Sequence, residues 1–216
     1  MIRIASFGLY VTLALFMVAC GDDSSSSPAN GGGTKISVEK TSFTDSRDGQ
    51  TYKAVTIGNQ VWMAQNLNFD MNSGFAYSVC FKENAENCKK YGRLYNWTAA
   101  RLSCPEGWHL PTNEEFNVLF AAVGGQEKAG IKLKSATGWA EDYLNGTDDY
   151  GFSVLPAGEK RTSSSNSFDG LGYEAQFWSA TEHNSYIGYY VNIQYDEPLF
   201  NSFSKDDLRS VRCLKD

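Results

Sequence analysis

The chain has 216 residues, 14% of them aromatic and 20% charged, with 25 acidic side chains against 19 basic ones and a formal charge of −6. That balance provides no basic footprint for a phosphate backbone and argues against nucleic acid as a partner. It also lacks the polybasic stretch that would bind an anionic membrane electrostatically.

Arg3 precedes an almost unbroken apolar run from Phe7 to Ala19. The run is too short for a transmembrane helix, which needs about 20 apolar residues, and suits the core of a signal peptide. Met17-Val18-Ala19-Cys20 has the form of a lipobox, and Gly21-Asp22-Asp23 with four serines follows. The expectation is a lipoprotein signal peptide over 1–19 and acylation at Cys20. Residues 20–44 would form a Ser/Gly-rich tether too poor in apolar side chains to fold, and 45–216 a single domain. Attachment would rest on acyl chains, at about 0.8 kcal/mol per buried CH₂. Asp22-Asp23 favours the outer membrane and exposure at the cell surface.

Some 170 residues can bury a real core. The four cysteines left in the domain, Cys80, Cys88, Cys104 and Cys213, form an even set in an exported chain. They read as two disulfides with three possible connectivities. Cys80 and Cys88 are near enough to close a local loop, which leaves Cys104 to Cys213, a long closure worth about 4–5 kcal/mol on the chain-entropy account. A four-cysteine zinc site is disfavoured because no CxxC knuckle is present.

Asp48-Gly49 and Gly58-Asn59 predict tight turns around strands at 51–57 and 60–65. Residues 69–90 read as irregular. Tyr91 to Leu102 has helical spacing, and Trp108 to Leu110 a short strand. Thr112-Asn113-Glu114-Glu115 is a capping box. Phe116, Leu119, Phe120 and Val123 follow at i, i+3, i+4 and i+7, up to Gly124-Gly125. No later helical period is evident. Strand candidates are 152–155, 177–179, 187–195 and 208–214, with a long connection at 158–175. Two helices packed on short antiparallel strands, with long loops and disulfide staples, give an α+β fold.

The ordered segments YNWTAA, Cys104, GWHLPTNEEFNVLF, GFSVLPAG, FWSATE and SVRCLKD resemble the Fibrobacter succinogenes major paralogous domain over about 45–216. That resemblance implies a surface or secreted bacterial domain with no assigned activity. More distantly, the same segments look like a C-type-lectin-like fold, which independently implies Cys104–Cys213. The lectins' calcium triplets are absent, Glu197-Pro198-Leu199 standing nearest, so calcium-dependent sugar binding does not carry over. Formylglycine-generating enzymes share the layout, but their chemistry needs a reactive cysteine pair.

Catalysis is not indicated. Of the two histidines, His109 reads as structural and His183 as a loop residue; no nucleophile elbow, P-loop or dinucleotide motif is present. Asn145, Asp148 and Asp149, around a tight Gly turn, are the candidate ligands for a calcium cofactor; the same residue types also serve turns for backbone reasons. Trp139, Asp148, Asp149, Tyr189 and Asn192 are the candidate binding face, since flat aromatic rings among amides and carboxylates suit a sugar or peptide groove. The expected function is a non-catalytic, lipid-tethered recognition module for polysaccharide or an envelope protein. A structural component of the envelope and a formylglycine-type modifying enzyme are the alternatives.

Overall fold

The computed structural model describes residues 38–216; the signal peptide expected over 1–19, the acylation expected at Cys20 and the expected tether as far as residue 37 lie outside the described residues. Strands β1 (Val38–Thr44), β2 (Thr51–Ile57) and β3 (Gln60–Met63) run antiparallel. Gly58-Asn59 is a two-residue turn, with Ile57 opposite Gln60 and Gly58 at φ 62°, where a side chain would be strained. Residues 38–44 were expected in the tether. They pair with β2 along their whole length instead, because Phe43 finds Tyr52 and Trp108 to stack on, 5.7 and 4.3 Å away.

The segment expected to be irregular, 69–90, carries β4 (Asn72–Ser73), β5 (Ala76–Val79) and nearly all of helix α1 (Ala85–Tyr91), and β6 (Leu94–Tyr95) follows within the stretch expected to be helical. The single helix expected over 91–102 is therefore replaced. Gly92, at φ 76°, ends α1, and the Asn96 side chain caps α2 (Trp97–Ser103) by accepting from the Ala99 N–H. Strand β7 (Trp108–His109) leads into α3 (Asn113–Ala122), where the capping box forms as expected. A further helix, α4 (Gln126–Leu133), was not foreseen: Gly124-Gly125 ends α3 but also lets the next helix start at once.

The second half contains β8 (Ala157–Arg161), β9 (Ser167–Leu171), β10 (Ala175–Glu182), β11 (Ile187–Ile193), β12 (Leu199–Ser204) and β13 (Leu214–Lys215). The expected long connection at 158–175 is mostly the β8–β9 hairpin. The strand expected at 152–155 contributes only a bridge from Val154 to Lys134. Sheets β1-β2-β3-β13-β7 and β12-β11-β10-β8-β9 enclose the main core, and β4-β5-β6 lies beside them.

Neighbouring residues of β3 serve two cores. Trp62 joins Phe116, Phe120, Phe152 and Phe177, while Met63 joins Tyr95, Trp97, Trp178 and Cys213, as the alternation of a strand requires. Central strand β10 is buried from Ala175 to Ser179, and the Trp178 indole donates to the Tyr95 carbonyl at 2.7 Å. Both disulfides have the expected partners, Cys80–Cys88 and Cys104–Cys213, and the latter joins the residue after α2 to the residue before β13.

The His109 ring is held between two carboxylates. Its Nδ1 lies 2.6 Å from Asp216 Oδ1 and its Nε2 2.9 Å from Glu115 Oε1. Partial burial works against the imidazolium, but the two carboxylates outweigh it and raise its pKa above the ordinary 6.5. A raised histidine pKa stabilises the fold fully below 6.5, and that stabilisation fades as pH rises through the folded value. Burial likewise opposes the Glu115 carboxylate, yet the Thr112 N–H and His109 hold its pKa below 4.5. Its contribution is therefore present above 4.5 and fades as pH falls. His109→Gln is expected to abolish the part of the stability loss seen between mildly acidic and mildly alkaline pH. Urea midpoints with identical pH slopes in the two proteins would count against this.

Candidate functional site

The expected binding face does not assemble. Trp139 is 7% exposed and belongs to the main core; its indole N–H reaches Ser135 Oγ and the Val154 carbonyl, each at 3.2 Å. Its polar flanks are a real loop, but the ring turns inward because two acceptors and a cation await it there. Lys134, itself 2% exposed, places its ammonium 4.1 Å from the ring. Tyr189 and Asn192 are three positions apart on β11 and so face opposite sides of the sheet. The Tyr189 hydroxyl meets His183 Nδ1 at 3.1 Å, whereas Asn192 Oδ1 is buried without a partner.

The calcium candidates have structural duties. Asn145 Oδ1 accepts from the Trp139 N–H at 3.2 Å. Asp148, at φ 49°, accepts from the Ser153 N–H at 2.7 Å and the Ser153 hydroxyl at 2.6 Å. Asp149 is exposed, and its N–H donates to the Lys132 carbonyl. Among the described residues no three His, Cys, Asp or Glu side chains converge as a metal site.

What assembles instead is a groove beside the same loop. Asp142, Tyr143 and Leu144 form one wall, Tyr195, Asp196 and Glu197 the other, and Glu127 of α4 closes the end of a hollow of about 460 Å³. The Tyr143 ring centroid is 5.8 Å from Tyr195 and 5.4 Å from Tyr173, which backs it edge-on. Leu144, Tyr195 and Tyr173 are 70%, 58% and 48% exposed, so the apolar surface is open to solvent. None of the salt bridges among the described residues uses the four carboxylates.

Two devices hold the walls together. The Lys134 ammonium donates to the Tyr143 carbonyl at 2.6 Å and to the Gln194 carbonyl at 3.0 Å, tying both walls to one buried cation. Burial pushes its pKa down, with Asp196 pulling the other way. Gly130 of α4 donates to the Asp196 carbonyl at 2.6 Å, and a Cβ there would lie 2.1 Å from the Tyr195 carbonyl oxygen. Only glycine allows that approach. No local signal marks Tyr143, Tyr173, Tyr195 or Lys134, because these residues meet across 30 to 60 positions of the chain.

The molecule is thus a disulfide-stapled α+β domain with an open, tyrosine-walled and carboxylate-rimmed groove. The model of the Fibrobacter succinogenes major domain family matches residues 55–215, and the chain belongs to that family. Comparison with curated proteins and with solved structures finds no match in either.

Proposed function

We propose that this protein is a non-catalytic recognition module, tethered to the outer membrane through acylated Cys20 and displayed at the cell surface. We read it as C-type-lectin-like in layout, with a polysaccharide bound in the tyrosine groove. The observation that carries the reading is the groove itself: Tyr143 and Tyr195, backed by Tyr173 and half-open to water, among four carboxylates that form no salt bridge among the described residues. Aromatic faces cover the C–H faces of sugar rings, and carboxylates accept strong hydrogen bonds from sugar hydroxyls. The lectin-like layout is supported by α2 leading to a cysteine bridged to the final strand segment, followed by a capped helix with an early Glu. A modifying activity of the formylglycine type is disfavoured, since all four cysteines of the domain are bridged.

Retention of the protein on insoluble polysaccharides is the test. Tyr195→Ala is expected to weaken retention at least about tenfold, or 1.4 kcal/mol, with an unchanged melting midpoint. Undiminished retention by Tyr195→Ala would remove the groove from the reading. Docking to an envelope protein is the second reading, favoured by Phe75, which is 93% exposed at the β4–β5 turn. It would show as crosslinking to one envelope protein, lost in Phe75→Ser, with no glycan retained.

A further inference from the structure

We propose that a second hollow, between the β1–β2 hairpin, α1 and the backbone around Ser153, binds the acidic groups of an anionic oligosaccharide, carboxylated or sulfated. It shares no residue with the tyrosine groove and stands or falls separately from it. The hollow is about 280 Å³ and is lined by Lys53, Lys90, Arg212 and Lys89, the last paired with Glu86 at 2.7 Å, and no Asp or Glu is part of the lining itself. In a chain of net charge −6, that local excess of cations is a focused field for an anion. Lys40 adds to it, its ammonium lying beside Gly151 at the rim.

Arg212 in the floor is the telling group. It is 1% exposed and forms no ion pair among the described residues. Its Nε and Nη2 donate to Asn66 Oδ1 at 3.2 and 2.8 Å, its Nη1 to the Phe152 carbonyl, and its Nη2 also to the Ser153 carbonyl at 3.3 Å. All of these acceptors are neutral. Asp148 is the one acid acting on it, from beyond ion-pair contact, with both its oxygens accepting from Ser153. Burial accordingly pushes the guanidinium down to about 9. A buried charge with no ion-pair contact among the described residues is costly, and here it is kept beneath an open, cation-lined hollow where an incoming anion would add compensating charge. The other buried arginine, Arg209, has Glu159 2.9 Å away, so this is not how the fold treats arginine in general.

The rest of the lining selects the ligand class. Asn68 Oδ1 is buried without a partner and suits a ligand hydroxyl, while Gln50, Asn66 and the Asn68 side-chain N–H are bonded within the fold and Gln65 accepts from the Lys53 N–H. A neighbouring hollow of about 510 Å³ shares Gln50, Asn68, Cys88 and Lys89, extending the site beyond a single ion. Its lining also holds Asp70, paired with Arg93 at 2.7 Å, and Asp48, which accepts from the Gln50 backbone and side chain. A chain of hydroxyl-rich units bearing acidic groups fits this run of amides and cations.

The test is calorimetric titration and thermal melting with oligogalacturonate, a sulfated dextran oligomer, a neutral glucose oligomer and inorganic sulfate, at matched ionic strength. Binding and a raised midpoint with either acidic oligomer, and with neither of the other two, is expected; which oligomer binds identifies the acidic group. Lys53→Gln/Lys90→Gln, two exposed changes outside any ion pair, should weaken that binding at least about tenfold while leaving the ligand-free midpoint in place. Tyr195→Ala should leave it unchanged, which separates this site from the groove. Equal binding of the neutral oligomer, an equal shift with inorganic sulfate, full binding by the lysine double variant, or no binding of either acidic oligomer would each overturn the proposal.

Discussion

Arg209→Ala is expected to destabilise the domain by about 3–5 kcal/mol, the range for removing one partner of a buried ion pair. Arg209 is 1% exposed; its Nη2 lies 2.9 Å from Glu159 and 3.7 Å from Asp207, and its Nε donates to Gln176 at 2.7 Å. The guanidinium also lies 4.1 Å from the Tyr190 ring and 4.5 Å from that of Trp178. It therefore joins β8, β10 and β11 through one charge. Without it, Glu159 would keep only Arg161, whose side chain is 42% exposed, and Asp207 would keep neutral donors from Thr162 and Ser163. At 2–4 °C per kcal/mol for a domain of this size, the midpoint should fall by on the order of 10 °C. Lys89→Ala, which removes an exposed pair with Glu86, should barely move it. A drop no larger for Arg209 than for Lys89 would mean that the buried network does not stabilise the fold.

Removing the long disulfide is the second large effect. Cys104 and Cys213 are 109 residues apart, Cys80 and Cys88 only 8. Chain-entropy reasoning gives about 4.8 kcal/mol for the longer loop and about 2.6 for the shorter. Cys104→Ala/Cys213→Ala should therefore lose roughly twice the stability of Cys80→Ala/Cys88→Ala in urea unfolding. Cys213 is fully buried, so the cavity left behind adds to the difference. Equal losses would show that the unfolded chain is not the state these bridges act on.

The α3 capping box, the Gly58-Asn59 hairpin turn and both disulfide pairings were legible in the sequence. Each is decided locally or by elimination: a hydroxyl and a carboxylate three residues apart, a turn with room for positive φ, four cysteines of which two are neighbours. The mixed α+β class followed from the same signals. The helix over 91–102 was misjudged because apolar spacing outvoted Gly92 and the Asn96 cap, and α4 was missed because a glycine pair can end one helix and open another.

What the sequence determined by itself is therefore the set of caps, turns and crosslinks, whose energetics lie within a few residues or in the cysteine count. Only the tertiary structure decided which aromatics face water. Trp139 turned inward because Lys134, Ser135 and Val154 offered a cation and two acceptors, while Tyr143 and Tyr195 stayed open because one buried ammonium holds the two backbones side by side. Whether a ring is core or surface depends on partners distant in the chain, and no local pattern encodes where those partners will be.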